Sequence, residues 1–291
     1  MIHRYYKEGQ KLDVSGLNQI TVLVDRSETE LTEIGLNEWR AGLEGPPHQH
    51  AAKDQIFYIV SGDGVVSAGS NKYQVSPGSL VYLPAGILHK TEVKSEIPLG
   101  YILFNVFSSS DKEGHASFAD HIKEVKEVRR SQADTGQSQV EGSEKEIKTD
   151  KNPKYFKTPF DGKVYDFGSN STILLLDRTE TNRFEFVVVR WPMGNKGAMV
   201  AHQEKEQTFF IISGSGKVTV GEETKNVRAG DVVFVPRNTP HTTEADAEEL
   251  VYLCLNTIIT ETKDASFEEM YQRIAPGRID RWKRGDDSIG E

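Results

Sequence analysis

The sequence predicts an all-β protein: two tandem jelly-roll barrels, each followed by a C-terminal helix. Two observations predict it. The first is a block that occurs twice at constant spacing: Val200 lies 152 positions after His48, and the same offset relates Gly45, His50, Gln55, Gly62, Gly64, Gly78, Pro84 and His89 to Gly197, His202, Gln207, Gly214, Gly216, Gly230, Pro236 and His241. A shared offset without insertion marks two related domains. The second is a series of short β-branched or aromatic runs at regular spacing, punctuated by Gly and Pro, which is the pattern of a sandwich or jelly roll.

In chain order, Asp25-Arg26-Ser27-Glu28-Thr29 opens the first copy and Asp177-Arg178-Thr179-Glu180-Thr181 the second, followed by Trp39 and Trp191. Ile56-Phe57-Tyr58-Ile59-Val60 and Thr208-Phe209-Phe210-Ile211-Ile212 read as strands stopped by Ser-Gly-x-Gly. Leu80-Val81-Tyr82-Leu83-Pro84 and Val232-Val233-Phe234-Val235-Pro236 are short strands entered from a Gly turn and ended by Pro. Residues 99–106 and 250–255 close each unit. Ala116-Ser117-Phe118 then precedes a helical pattern (Ile122, Val125, Val128), and Ala265-Ser266-Phe267 precedes another (Met270, Tyr271, Ile274). Between the copies, residues 131–154 carry only Ala133, Val140 and Ile147 as aliphatic side chains and read as a flexible linker. The expected domains are 1–130 and 155–291, with the linker 131–154 between them and a polar, mobile tail over 278–291.

Composition sets further bounds. With 36% hydrophobic and 27% charged residues among 291, the chain has the balance of a soluble protein with two medium domains. A net charge of −9 argues against nucleic acid or an anionic membrane as partner, since both need a basic face. Cys254 is the only cysteine, so no disulfide framework exists within a chain. No signal-peptide core and no membrane-length apolar run is present, and a cytoplasmic location is expected.

His48 and His50 are two apart on an expected strand and so share a face. Gln55 opens the next strand, and His89 follows the Pro84-Ala85-Gly86 turn. Three imidazoles converging from separate strands are the usual way to hold a divalent transition metal. These residues resemble the paired motifs of the cupin superfamily. Its first motif is Gly, His-x-His, Glu, Gly, and this chain has Gly45, His48, His50, Gln55 and Gly62, with Gly45 nearer the histidines than usual. Its second motif is matched in full by Pro77, Gly78, Pro84, Gly86 and His89. The resemblance covers residues 20–106 and 172–257. It implies a bicupin, a metal within the barrel, and a homodimer. The set His48, His50, Gln55 and His89 is similar to that of the small cupins that open unsaturated uronates. Their acid lies on the last barrel strand, where this chain reads Ile102-Leu103-Phe104-Asn105. The pirin-like and quercetinase-like bicupins are a more distant resemblance.

Gln55 in place of a carboxylate has a chemical consequence. A divalent ion held by neutral donors keeps its full charge, binds anionic oxygen better and acidifies bound water more. One divalent transition metal per chain is therefore expected, Zn, Mn, Fe or Ni. In the second copy the first His is Val200, and Asn238 stands where the first has Gly86. There His202, Gln207 and His241 form a weaker site, to which Glu204 has the right parity to add a carboxylate. The reading that follows is a metal-dependent enzyme acting in the N-terminal barrel on a small oxygen-rich metabolite, a sugar acid or keto acid, by isomerase, lyase or hydrolytic chemistry. The alternatives are a dioxygenase on an aromatic or enediol substrate and a non-catalytic small-molecule binder. Trp39 and Trp191 are read as barrel packing, Arg26 and Arg178 as partners of nearby acids, Asp63 as a turn residue, and Lys90 as solvated.

Overall fold

The structure, a computed structural model, describes residues 1–112, 115–135, 149–286 and 288–290. The chain divides into two compact units, Lys7–Thr158 and a second formed by Met1–Tyr6 with Pro159–Glu291. Each is a barrel of one seven-stranded and one three-stranded antiparallel sheet, as the sequence pattern predicts. Among the described residues, no helix is long and apolar enough to cross a membrane.

In the first barrel the large sheet runs in the order Lys154–Phe156, Leu80–Leu83, Lys53–Ser61, Leu99–Phe107, Thr32–Trp39, Asn18–Val24, Gln10–Val14. The small sheet is Asn71–Val75, Gly64–Ala68, His89–Val93. Phe57, Val81, Leu83, Tyr101 and Leu103 from the large sheet pack with Val66, Val75 and Val93 from the small one. Trp39 is 3% exposed, and its indole N–H donates to the Tyr101 hydroxyl at 2.9 Å. A Cβ on Gly45 would lie 2.4 Å from Cη2 of that indole, which is why the motif needs glycine there. In the second barrel Trp191 bonds Tyr252 at 3.0 Å, and a Cβ on Gly197 would lie 2.6 Å from the ring. Both tryptophans are packing residues as expected, and both also contribute to cavity walls.

The domain boundaries differ from those expected from the sequence. Ile2–Tyr5 pairs with Asp231–Val235 and belongs to the second barrel, while Lys154–Phe156 pairs with Leu80–Leu83 and belongs to the first. Each short segment covers an edge that the repeated block leaves unpaired. The linker expected over 131–154 is likewise narrower, because the helix α1 (Phe118–Thr135) runs into it and a strand begins at Lys154. Residues 136–148 of that linker lie outside the described residues.

The duplicated Asp-Arg-Ser/Thr-Glu-Thr motif ties each helix to its barrel. Asp25 accepts from the Ser27 N–H at 2.9 Å and from the Phe118 N–H, at the start of α1, at 3.2 Å. Glu28 reaches back to the Asp25 N–H at 3.0 Å, a capping box. In the second barrel Asp177 accepts from Thr179 at 2.9 Å and from the Phe267 N–H, the first residue of α2 (Phe267–Arg284), at 2.9 Å. A carboxylate at a helix N-terminus satisfies an orphan donor and opposes the positive end of the helix dipole. Arg178 bonds Glu185 at 2.7 Å as expected. Among the described residues Arg26 makes no ion pair. It donates instead to the carbonyls of Ser109, Asp111 and His115, the segment leading into α1.

The tail expected to be mobile over 278–291 is also corrected. Arg278 to Arg284 complete α2, and Gly290 then exchanges hydrogen bonds with the second barrel: Ala201 donates to its carbonyl at 2.9 Å and its N–H to Met199 at 3.1 Å.

Candidate metal centre

His48 and His89 are held side by side by the backbone. Each N–H donates to the other's carbonyl, at 2.9 and 2.8 Å, as an isolated antiparallel bridge rather than the strand expected for residues 48–50. The Gly86 N–H bonds the His50 carbonyl at 2.8 Å, which fixes the turn after Pro84 against the His-x-His segment. Gly86 makes that turn at φ 84. In the second barrel Asn238 adopts φ 60 and donates to the His202 carbonyl at 2.6 Å, because asparagine tolerates the left-handed region better than most residues.

The ligand atoms of His48, His50 and His89 lie within 4.8 Å of one another, and among the described residues this is the group of three placed to hold a metal. The backbone sets the tautomers. Nδ1 of His48 lies 3.0 Å from the Pro46 carbonyl, and Nδ1 of His89 lies 3.0 Å from that of Ile87. A carbonyl only accepts, so each Nδ1 carries the proton and each Nε2 keeps its lone pair. His89 is 2% exposed, and its Nε2 has no hydrogen-bond partner among the described residues. Burial, reinforced by the charge of Lys53, holds His50 well below the ordinary histidine pKa, and burial does the same for His89. Burial thus favours the neutral form of His50 and His89.

Gln55 lines the same cavity. Its Nε2 donates to Asn105 Oδ1 at 3.0 Å, Asn105 donates to Glu33 at 2.8 Å, and Glu33 accepts from His115 at 3.1 Å. This chain of bonds fixes the amide so that Oε1 is the atom left buried without a partner among the described residues. Orphaned buried polar atoms are rare. Here Gln55 Oε1, a hard oxygen donor, and His89 Nε2, a borderline nitrogen donor, share a cavity with two further imidazoles, a mixed set that suits a divalent transition metal ion. The residues fit the metal expected from the sequence.

The cavity measures about 320 Å³. Lys53, 4% exposed, is part of its wall, and burial lowers its ammonium pKa to about 8 despite the opposing influence of Glu33. His121 of α1 also lines it, 5.7 Å from the His50 ring and stacked on His115 at 4.5 Å. Lys53, Glu33, His115 and His121 lie outside the cupin motif positions and join the site only in the folded structure. The first two carried a signal, since Lys53 and Glu33 recur as Lys205 and Glu185 at the offset of 152. His115 and His121 have no histidine counterpart in the second copy.

In the second barrel the backbone frame is unchanged: Val200 and His241 exchange hydrogen bonds at 3.0 and 2.8 Å. Only the side chain differs. His202 and His241 are 5.2 Å apart between ring centroids, and Gln207 bonds Asn256 at 2.7 Å as Gln55 bonds Asn105. Glu204 does not line this cavity.

Comparison with known proteins agrees with this architecture. The cupin domain model matches residues 37–104 and 187–256, one match in each barrel. The chain is a two-domain member of the cupin superfamily. A 63-residue segment is 38% identical to an uncharacterized protein of Streptomyces coelicolor, covering 22% of this chain and 59% of that one. A 53-residue segment is 34% identical to an uncharacterized protein of Methanocaldococcus jannaschii, covering 18% of this chain and 42% of the relative. Solved structures of Bacillus subtilis oxalate decarboxylase share the fold. One, of an enzyme with Mn(II) centres, has a TM-score of 0.61 at 17% identity over 90% of this chain and 78% of the other. Another, determined at pH 4.6, has a TM-score of 0.62 at 17% identity over 100% and 85%.

Proposed function

We propose that the protein is a metal-dependent enzyme that acts on a small organic acid in its first barrel. The observation that carries the reading is the neutral donor set of His48, His50, His89 and Gln55, with orphaned donor atoms, beside the buried ammonium of Lys53. A divalent ion bound there would supply Lewis acidity toward an anionic oxygen and would not have its charge reduced by a protein carboxylate. The structural likeness to oxalate decarboxylase supports a carboxylic acid as the substrate class, and the cavity has room for acids larger than oxalate.

The chain's own residues divide the work. Lys53 binds and orients a substrate carboxylate, and its partial desolvation strengthens that contact. Asn105 and Glu33 hold the Gln55 amide and orient His115. His121, which lines the cavity together with His115 and Glu124, is assigned the role of holding or moving a proton, a role left vacant by Ile102-Leu103-Phe104-Asn105 on the last strand. Within this class, isomerase, lyase or hydrolytic chemistry on a sugar acid or keto acid suits a strongly polarising centre.

The test is turnover by metal-loaded full-length protein on a panel of keto, hydroxy and sugar acids that includes oxalate, read by NMR, with dissolved oxygen followed in parallel. The expected result is conversion of an acid without oxygen consumption, lost in His48→Ala and with a raised KM in Lys53→Met. Stoichiometric oxygen consumption would establish the dioxygenase reading instead. Binding of an acid without conversion would establish the non-catalytic one.

A further inference from the structure

Most of the wall of the first barrel's cavity is apolar. Beside the three imidazoles, Gln55 and Asn105, it is built from Ile20, Trp39, Phe57, Leu103, Phe118 and Ile122, each at most 5% exposed. Phe57 lies flat against Tyr101, with ring centroids 4.2 Å apart. The volume of about 320 Å³ is roughly twice the ~150 Å³ of a cavity that takes benzene. Such a wall offers dispersion contact without hydrogen bonds, so a sugar would bury its hydroxyls unpaired against it. A flat apolar ring meets no such penalty.

A second polar group lies further along the same strands. In the paired strands Thr32–Trp39 and Leu99–Phe107, Glu33 stands opposite Asn105 and Asn37 opposite Tyr101, levels about 13 Å apart at the usual strand rise. Asn37 Nδ2 and Trp39 Nε1 both donate to the Tyr101 hydroxyl at 2.9 Å, and Asn18 Nδ2 donates to Asn37 Oδ1 at 2.7 Å. An indole N–H only donates, and each amide has one oxygen, so the chain of bonds runs in one direction. It ends at Asn18 Oδ1, which is buried without a partner among the described residues. Asn18 is 4% exposed and lines the cavity together with Asn37 and Tyr101. A buried acceptor left unpaired is unfavourable, and a hydroxyl on a bound ligand would relieve it.

The repeated frame does not require this arrangement. In the second copy Asn170 stands at the position of Asn18, but Val189 stands at that of Asn37 and Thr172 at that of Ile20. Asn170 there donates to Thr172 at 3.4 Å instead. The second barrel forms the same strands without the asparagine pair, so the pair belongs to the first cavity and not to the fold.

We infer that the first barrel selects a hydroxyaryl acid, with its ring against Phe57 and Leu103 and its hydroxyl donating to Asn18 Oδ1. The inference rests on the reading of this barrel as an acid-binding metal enzyme, which places the carboxylate at the imidazoles and Lys53, and adds the body and far end of the substrate. The separation of about 13 Å between the two polar levels is too long for oxalate to bridge and suits a para-hydroxylated ring on a short acid chain. Asn18 sets specificity at a distance from the reacting atoms.

The probe is para-hydroxyphenylpropionate, titrated by calorimetry into metal-loaded full-length protein beside phenylpropionate, para-methoxyphenylpropionate and glucuronate. The hydroxy acid is expected to bind once per chain. Phenylpropionate and the methoxy acid should each bind about tenfold more weakly, because neither donates to Asn18. Asn18→Leu should lower the hydroxy acid to the affinity of phenylpropionate and leave phenylpropionate itself unchanged. His48→Ala should weaken both. Thermal unfolding checks that Asn18→Leu folds; should it not, the comparison of hydroxy and methoxy acids in the native protein decides alone. Equal affinity of the hydroxy and phenyl acids, or tighter binding of glucuronate, would overturn the inference and leave the acid-binding reading in place. Binding of none of these acids, or binding that His48→Ala does not weaken, would overturn both.

Discussion

At the scale of single residues, the two barrels differ where it matters by one imidazole. His48 and Val200 sit in the same backbone bridge, so the substitution removes a ligand without moving the frame. Other residues are fixed by sterics. Gly45→Ala would place a methyl 2.4 Å from the Trp39 ring, and an aromatic held by a hydrogen bond to Tyr101 cannot yield. A loss of about 1–3 kcal/mol in urea unfolding is expected, in line with overpacking in other cores. Cys254 is inert for a different reason: burial pushes its thiol up to about 12. At about pH 9 an ordinary thiol is largely ionised. Native Cys254 should nonetheless resist Ellman's reagent at that pH and react at once in denaturant. Rapid reaction of the native protein would show that the wall of the second cavity is open to solvent.

At the scale of elements, the repeated Asp25 and Asp177 motifs explain how each barrel keeps a helix against its cavity. Asp25→Ala removes acceptors for the Ser27 and Phe118 amides, so about 1 kcal/mol of stability should be lost and amide exchange at the start of α1 should quicken. The strands of the central blocks were legible because β-branched runs and Gly/Pro turns alternate there. The facing of their side chains was not. Leu99–Phe107 is buried at every position, so no polar alternation marks Tyr101 and Asn105 as inward. Ile2–Tyr5 and Lys154–Phe156 were illegible as edge strands because they pair through backbone groups, outside the duplicated block. The same limit hid His121, which reaches the cavity from a helix whose position over the barrel is set by Asp25, 93 residues from its partner amide.

At the scale of the whole molecule, one repeated backbone frame carries two different sets of side chains. The first barrel gathers three imidazoles, the Gln55 amide and Lys53 around a cavity of about 320 Å³, and the second gathers two imidazoles, the Gln207 amide, Lys205 and Arg278 around about 110 Å³. The triad itself was legible, since His48, His50 and His89 stand at motif spacing. The second cavity was not, because Arg278 joins it from outside the repeated block. Elemental analysis of the purified full-length protein tests this asymmetry most directly, with His48→Ala and His202→Ala beside the native chain. One divalent metal ion per chain, lost in His48→Ala and retained in His202→Ala, is the predicted result. Two ions per chain, or an ion retained in His48→Ala, would contradict it.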